Sequence, residues 1–170
     1  MNQPNQHIEP ARIEEIPSFT LAGISAVTTN AAELSGNGKI GKLFEQFYSR
    51  NIGGQLADHV EKPGLYSCYF NYEQGDAGQY EVMVSVPVVQ DGQEQYPETV
   101  TTFTVPTAAY AVFITERGPV IEKVQQAWAG IWQWSRQPGN ERAFTGDFEL
   151  YDLDIDLNDG QVEIYIAIKR

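Results

Sequence analysis

The sequence predicts an α+β fold of two pseudo-symmetric strand–helix–strand–strand repeats, with mainly antiparallel strands and a ligand cleft between the repeats. Four observations support this. The run Gly78-Gln79-Tyr80-Glu81-Val82-Met83-Val84-Ser85-Val86 matches Gly160-Gln161-Val162-Glu163-Ile164-Tyr165-Ile166-Ala167-Ile168, an offset of 82 residues in a chain of 170. Strand-like alternation occurs twice per copy, at Leu65–Tyr72 and Tyr80–Val88, then at Phe148–Asp154 and Val162–Ile168. Between these pairs lie turn residues, Gly75, Asp76 and Gly78 in one copy and Asn158, Asp159 and Gly160 in the other. Helical spacing precedes each pair: Leu43, Phe44, Phe47 and Tyr48 in one copy, Ile121, Val124, Trp128, Ile131 and Trp132 in the other.

The remaining elements follow in order. Residues 1–11 are rich in Asn, Gln and Pro and read as a flexible tail. Residues 12–170 read as a single domain, with repeat one over about 12–90 and repeat two over about 99–170. Ile13–Thr29 favours a strand that Pro17 and Gly23 limit or bend. Glycines 36, 38 and 41 lead into a helix over Lys42–Arg50, which Gly53 and Gly54 should end. Thr101–Glu116 is strand-like around Pro106, and Pro119 suits the first turn of a helix over Val120–Trp134 that Pro138-Gly139 stops. One helix per copy is too little to cover both faces of a sheet. The halves should therefore join and leave one sheet surface free of helices, a usual place for a pocket.

Composition narrows the function. Hydrophobic residues make up 42% and aromatic residues 12%, so most of the chain should fold. A net charge of −12 repels polyanions, which argues against direct nucleic-acid binding. Cys68 is the only cysteine, which points to a reducing compartment. With no signal pattern and no membrane-length apolar run, the expected location is cytoplasmic, with no membrane partner.

Several motifs suggest chemistry and lack the context for it. Gly36-Asn37-Gly38-Lys39-Ile40-Gly41 fits G-x-G-x-x-G, with Asp58 downstream, but it starts well after the strand and precedes hairpins instead of a parallel sheet. Asp152, Asp154, Asp156, Asn158 and Glu163 imitate a calcium loop, yet Leu157 occupies the position where the turn demands glycine. His7 and His59 stand alone, so no zinc spacing exists. Cys68 reads as a small buried strand residue. We therefore expect neither metal nor cofactor.

One constellation is left. In Phe148-Glu149-Leu150-Tyr151, alternation puts Glu149 and Tyr151 on one face of the strand. Val162, Ile164, Ile166 and Ile168 form a β-branched face suited to packing under helices, leaving Glu163, Tyr165 and Ala167 opposite. The matching positions in repeat one are Ser67, Tyr69, Glu81, Met83 and Ser85. The face away from the helices should then carry Tyr69, Met83, Tyr151 and Tyr165 around carboxylates. Such a face attracts an organic cation through charge and cation–π contact. It can equally be an amphipathic outer face whose tyrosines pack as cross-strand pairs.

Taken in order, Val105-Pro106-Thr107-Ala108-Ala109-Tyr110-Ala111-Val112-Phe113, Gly118-Pro119, Ala127-Trp128, Trp132, Phe148-Glu149-Leu150-Tyr151 and Glu163–Ile168 resemble the GyrI-like, or AraC-type effector-binding, domain. The resemblance is strongest from about Val105 onward. It implies a pseudo-twofold fold with a central cleft for hydrophobic, often cationic, small molecules. It also implies that Glu149 projects into the cleft, flanked by Tyr110, Trp128, Trp132 and Tyr151. Some relatives resemble hydrolases of strained compounds that use this glutamate, and the family name implies a protein-interaction role for others. Both remain alternatives to binding. No helix-turn-helix precedes the domain in this sequence, so the resemblance implies that any regulatory role runs through a separate protein partner.

Overall fold

The computed structural model describes residues 8–75, 77–90 and 95–170. Of the expected tail over residues 1–11, positions 1–7 lie outside the described residues, as does the turn residue Asp76, whereas Ile8 packs against the core of the second repeat and the Ala11 amide donates to the Val112 carbonyl. Two prolines divide the strands that open the repeats, because proline offers no N–H to a ladder and fixes its own φ. Pro17 separates β1 (Arg12–Ile16) from β2 (Phe19–Thr29), and Pro106 separates β5 (Thr101–Val105) from β6 (Ala108–Ile114). Repeat one continues through α1 (Asn30–Leu34), α2 (Ile40–Ser49), α3 (Ile52–Gln55), β3 (Leu65–Phe70) and β4 (Gln79–Val88). Repeat two continues through α4 (Val120–Ser135), β7 (Asp147–Tyr151) and β8 (Glu163–Ile168). Gly53 and Gly54 do not end a helix as expected: they lie inside α3, and the break falls at Asn51, which adopts a left-handed φ of 52°.

The eight strands form one antiparallel sheet in the order β1-β6-β8-β7-β3-β4-β2-β5. The order is symmetric about the β3–β7 pair, where Ser67 faces Glu149. These two residues are also 82 positions apart, so the sequence repeat and the structural dyad coincide there. The repeats exchange their leading strands: β1 pairs with β6 of repeat two, and β5 pairs with β2 of repeat one.

The short connections bend this sheet. From β1 to β2 the chain moves six strand positions, as it does from β5 to β6, with only two residues between the strands each time. A flat sheet would require a span of about 29 Å, whereas three Cα–Cα steps reach about 11 Å. The sheet must curl until its edges meet, and the Ser18 amide donates to Thr107 Oγ1 at 2.9 Å across the two connectors. The helix-free face is the concave one. Phe70 of β3 stacks on Phe103 of β5 at 3.9 Å, and Phe19 of β2 meets the Phe148 ring at 5.5 Å, each contact bridging three strand positions.

The helix-free face therefore packs against itself, with Leu21, Cys68, Met83, Tyr110, Phe148 and Tyr165 buried in its core. On the other face α2 covers repeat one through Leu43 and Phe47, and α4 covers repeat two through Ala127, Ile131 and Trp134. The expected α4 stripe is thus rotated. Trp134 is buried, Ile121 is 70% exposed, and Val124, Trp128 and Trp132 are half-buried, as is Phe44 on α2.

Gly23 shows how tightly β2 is held between β4 and β5. A Cβ there would lie 2.0 Å from the Val84 carbonyl oxygen and 2.7 Å from Ser85 Cα, both backbone atoms that cannot swing aside. Gly23→Ala should destabilise the fold by about 2 kcal/mol or more, read as a lowered urea midpoint with an unchanged m-value.

Candidate functional site

The cavity forms where the helices part. Helices α2 and α4 cover separate halves of the convex face, and the central strands β3 and β7 floor a space of about 590 Å³ between them. Tyr69, Glu149 and Tyr151 form the floor, and Phe44, Trp128 and Trp132 the walls. Exposed apolar side chains, Leu34 and Tyr48 from repeat one and Ile121 and Leu157 from repeat two, ring the mouth. This volume suits a drug-sized molecule.

Glu149 sits at the bottom and is only 2% exposed. Its Oε2 accepts from the Tyr69 hydroxyl at 2.9 Å and from Trp128 Nε1 at 2.6 Å, and its Oε1 accepts from the Tyr151 hydroxyl at 2.6 Å. Tyr69 and Tyr151 occupy equivalent positions in the two repeats, so the dyad sets one tyrosine on each side of the carboxylate. Rings brace these donors edge-on: Phe44 meets Tyr151 at 5.7 Å and Tyr69 meets Trp128 at 5.4 Å. Burial pushes the Glu149 carboxyl above its usual range, while the hydrogen bonds from Tyr151, Trp128 and Tyr69 pull the other way. Burial, followed by the charge of Glu149, holds both tyrosine hydroxyls protonated as donors.

Of the other ionic groups at the cavity, Glu33 accepts from the amides at the start of α2 and Arg142 is already neutralised. Arg142 donates to Asp147 Oδ2 at 2.7 Å with both side chains almost wholly buried. The Tyr72 hydroxyl donates to the same oxygen at 2.6 Å, and the Ala167 amide donates to Oδ1 at 2.8 Å. Glu149 has no such cation: among the described residues its contacts are neutral donors.

Of the residues singled out from sequence, the structure brings Glu149, Tyr151, Tyr69, Trp128 and Trp132 together around the cavity. Tyr110, Tyr165 and Met83 lie on the concave face and do not reach it. The reason is register. Tyr165 is opposite Phe148 and Glu149 opposite Ile164, and directly paired residues share a face, so Glu149 and Tyr151 point under the helices and Tyr165 away. The same holds in repeat one, where Tyr69 pairs with Val82 while Met83 pairs with Cys68. Phe44, Tyr48, Tyr72, Tyr80 and Arg142 line the cavity and were not read as site residues. Tyr80 was legible, since it shares its phase with Val82, Val84 and Val86, the repeat-one counterpart of the helix-covered run. The glycine-rich loop is closed to phosphate by the protein itself: Glu33 accepts from the Lys39 and Ile40 amides at the start of α2, at 2.7 and 3.3 Å.

Residues 12–168 match the Cass2 family, described as integron-associated effector binding protein. The chain belongs to this family. YobU of Bacillus subtilis (strain 168), whose name assigns it provisionally to the transcriptional regulators, is 35% identical over 150 residues, covering 88% of this chain and 91% of YobU. Integron cassette protein VCH_CASS2, from the mobile metagenome of Vibrio cholerae, superposes with a TM-score of 0.73 at 29% identity, covering 96% of this chain and 98% of that one. The fold is also that of SAV2435, solved bound to tetraphenylphosphonium, with a TM-score of 0.75, 20% identity and 93% of each chain covered. The GyrI-like effector-binding fold that the sequence resembles is the fold of this chain.

A raised Glu149 pKa has a defined sign in stability. The unfolded glutamate ionises first as pH rises, so the folded state holds the extra proton and loses stability between the ordinary carboxylate pKa and the raised one. Glu149→Gln fits the same three contacts, with its oxygen toward Tyr69 and Trp128 and its amide toward Tyr151. It should remove that loss, so that its melting temperature at pH 7 equals or exceeds that of the wild type, with the difference shrinking below about pH 4.

Proposed function

We propose that the chain binds lipophilic organic cations in this cavity, with Glu149 as the fixed counter-charge. The observation that carries the reading is a buried carboxylate with no cation of its own at the foot of an aromatic space. Such a charge is costly to hold in the empty protein. A bound cation with diffuse charge relieves that cost and adds cation–π contacts, each worth roughly 0.5–2 kcal/mol. All three donors remain on the carboxylate, so the favoured ligand needs no N–H groups. The tetraphenylphosphonium on SAV2435 is a cation of this class.

The hydrolase alternative draws less support from the geometry. Both Glu149 oxygens are already engaged, which suits a stationary charge more than a carrier of protons. Regulation, the role suggested by the name of YobU, fits a ligand-sensing domain. A net charge of −12 favours a separate protein partner over direct contact with nucleic acid.

Titration with tetraphenylphosphonium, followed by tryptophan fluorescence, tests the reading. Glu149→Gln should weaken binding roughly ten- to a hundred-fold, the worth of a charged contact in such a place. Neutral triphenylphosphine oxide should be little affected. Glu163→Gln, on the far face, should bind as the wild type does. Unchanged phosphonium affinity in Glu149→Gln would remove the carboxylate from the site.

A further inference from the structure

The curled sheet has a second opening, on the face opposite the helices. A space of about 470 Å³ lies at one end of the concave side, walled by the β1–β2 connection and floored by the central strands. Its apolar surface combines aliphatic residues, among them Ile16, Val88 and Leu150, with an aromatic cluster. Tyr66 and Phe148 sit 5.3 Å apart, Phe19 meets Tyr66 at 5.9 Å, and Tyr165 stacks on Phe148 at 4.5 Å with the rings 12° from parallel. Three carboxylates, Glu14, Glu15 and Glu61, and one cation, Lys62, also line it. Glu14 is engaged by Arg12 at 3.0 Å, whereas Glu61 makes no ion pair among the described residues.

Tyr66 distinguishes this opening from an ordinary surface dent. The residue is 4% exposed and lines the space; its hydroxyl makes no hydrogen bond to the described residues and is the part of the side chain that solvent reaches. Its neighbours Phe19 and Phe148 offer only rings. Burial and the nearby Glu61 and Glu163 carboxylates push the hydroxyl up to about 12, so it stays a neutral phenol that can accept as well as donate. Water can pair this hydroxyl in the empty protein, so a ligand that takes the place of that water gains orientation from it more than affinity.

We propose that this opening is a second ligand site, selective for small arylalkyl ammonium ions. The aryl group would lie on the Phe148 and Phe19 rings, and an ammonium N–H would donate to the Tyr66 oxygen with Glu61 supplying charge. The chemistry differs from that at Glu149. There protein donors already fill the carboxylate, favouring cations without N–H groups. Here no donor among the described residues pairs the acceptor oxygen and the free carboxylate is exposed, favouring ions that bring donors. The proposal stands independently of the function assigned to the other cavity.

An NMR titration of the ¹⁵N-labelled chain with 2-phenylethylammonium chloride tests it at constant ionic strength. Saturable shifts are expected at the amides of Glu61, Lys62 and Tyr66, while the Trp128 indole N–H, which reports on the other cavity, stays in place. The surface substitution Glu61→Gln should weaken binding about three- to ten-fold, the worth of one partly screened charge, and Tyr66→Phe by less. Neutral 2-phenylethanol should bind at least about ten-fold more weakly. Shifts centred on the Trp128 indole, wild-type affinity in both variants, or no saturable shift up to about 10 mM ligand would each overturn the proposal.

Discussion

Pro17-Ser18 and Pro106-Thr107 each return the chain across six strand positions within two residues, and the sheet can satisfy both links only by curling. Much of the architecture follows from that constraint. Curling closes the helix-free face on itself, so it is filled by Phe, Tyr and Met side chains without needing a covering helix. It also makes the other face convex. Two helices packed on a convex surface diverge, and the gap opens over the middle of the sheet, where β3 and β7 meet. The large cavity is thus a by-product of short connectors, and its floor falls where the two repeats are equivalent.

Equivalence at that floor is broken in one place. Tyr69 and Tyr151 correspond and both donate inward, but Ser67 stands where its counterpart is Glu149. A second glutamate at Ser67 would put two carboxylates on directly opposed positions of adjacent strands, where like charges repel and neither could ionise freely. One copy carrying charge and the other a small hydroxyl lets the symmetric tyrosines converge on a single acceptor. The Arg142–Asp147 pair supplies its own neutrality, which leaves Glu149 on the floor and Glu33, held by the amides at the start of α2, as the carboxylates of the cavity.

The repeat, the antiparallel pairing and the two main helices were legible in the sequence, because they rest on local periodicity and on a copied segment, whereas Glu149 was singled out by the family resemblance. Faces were harder. Alternation states which residues of one strand share a side, but not how that strand is aligned with its neighbour. Tyr165 and Tyr151 were grouped on one face, and the β7–β8 register separates them. Met83 and Tyr69 parted for the same reason. The curl was hidden as well: Pro17 and Pro106 mark breaks, but the distance each break must span depends on strand order. Phe44 read as helix core because an apolar stripe looks alike whether it meets a sheet or an open cavity.

The exchange of β1 and β5 between repeats bears on how such a chain can arise and be divided. Each repeat contributes a strand that forms five residue pairs with the other repeat's sheet, the same number in both directions. A half-length chain cut between the repeats would therefore carry one strand with no home and one sheet edge with no cover. Two copies of that half would satisfy each other by trading strands, reproducing the eight-stranded sheet as an intertwined homodimer. Such a dimer would have identical residues at the central pair, either two serines or two glutamates. In a single chain the two positions are free to differ, as Ser67 and Glu149 do, and the carboxylate then lies on one side of a nearly symmetric scaffold.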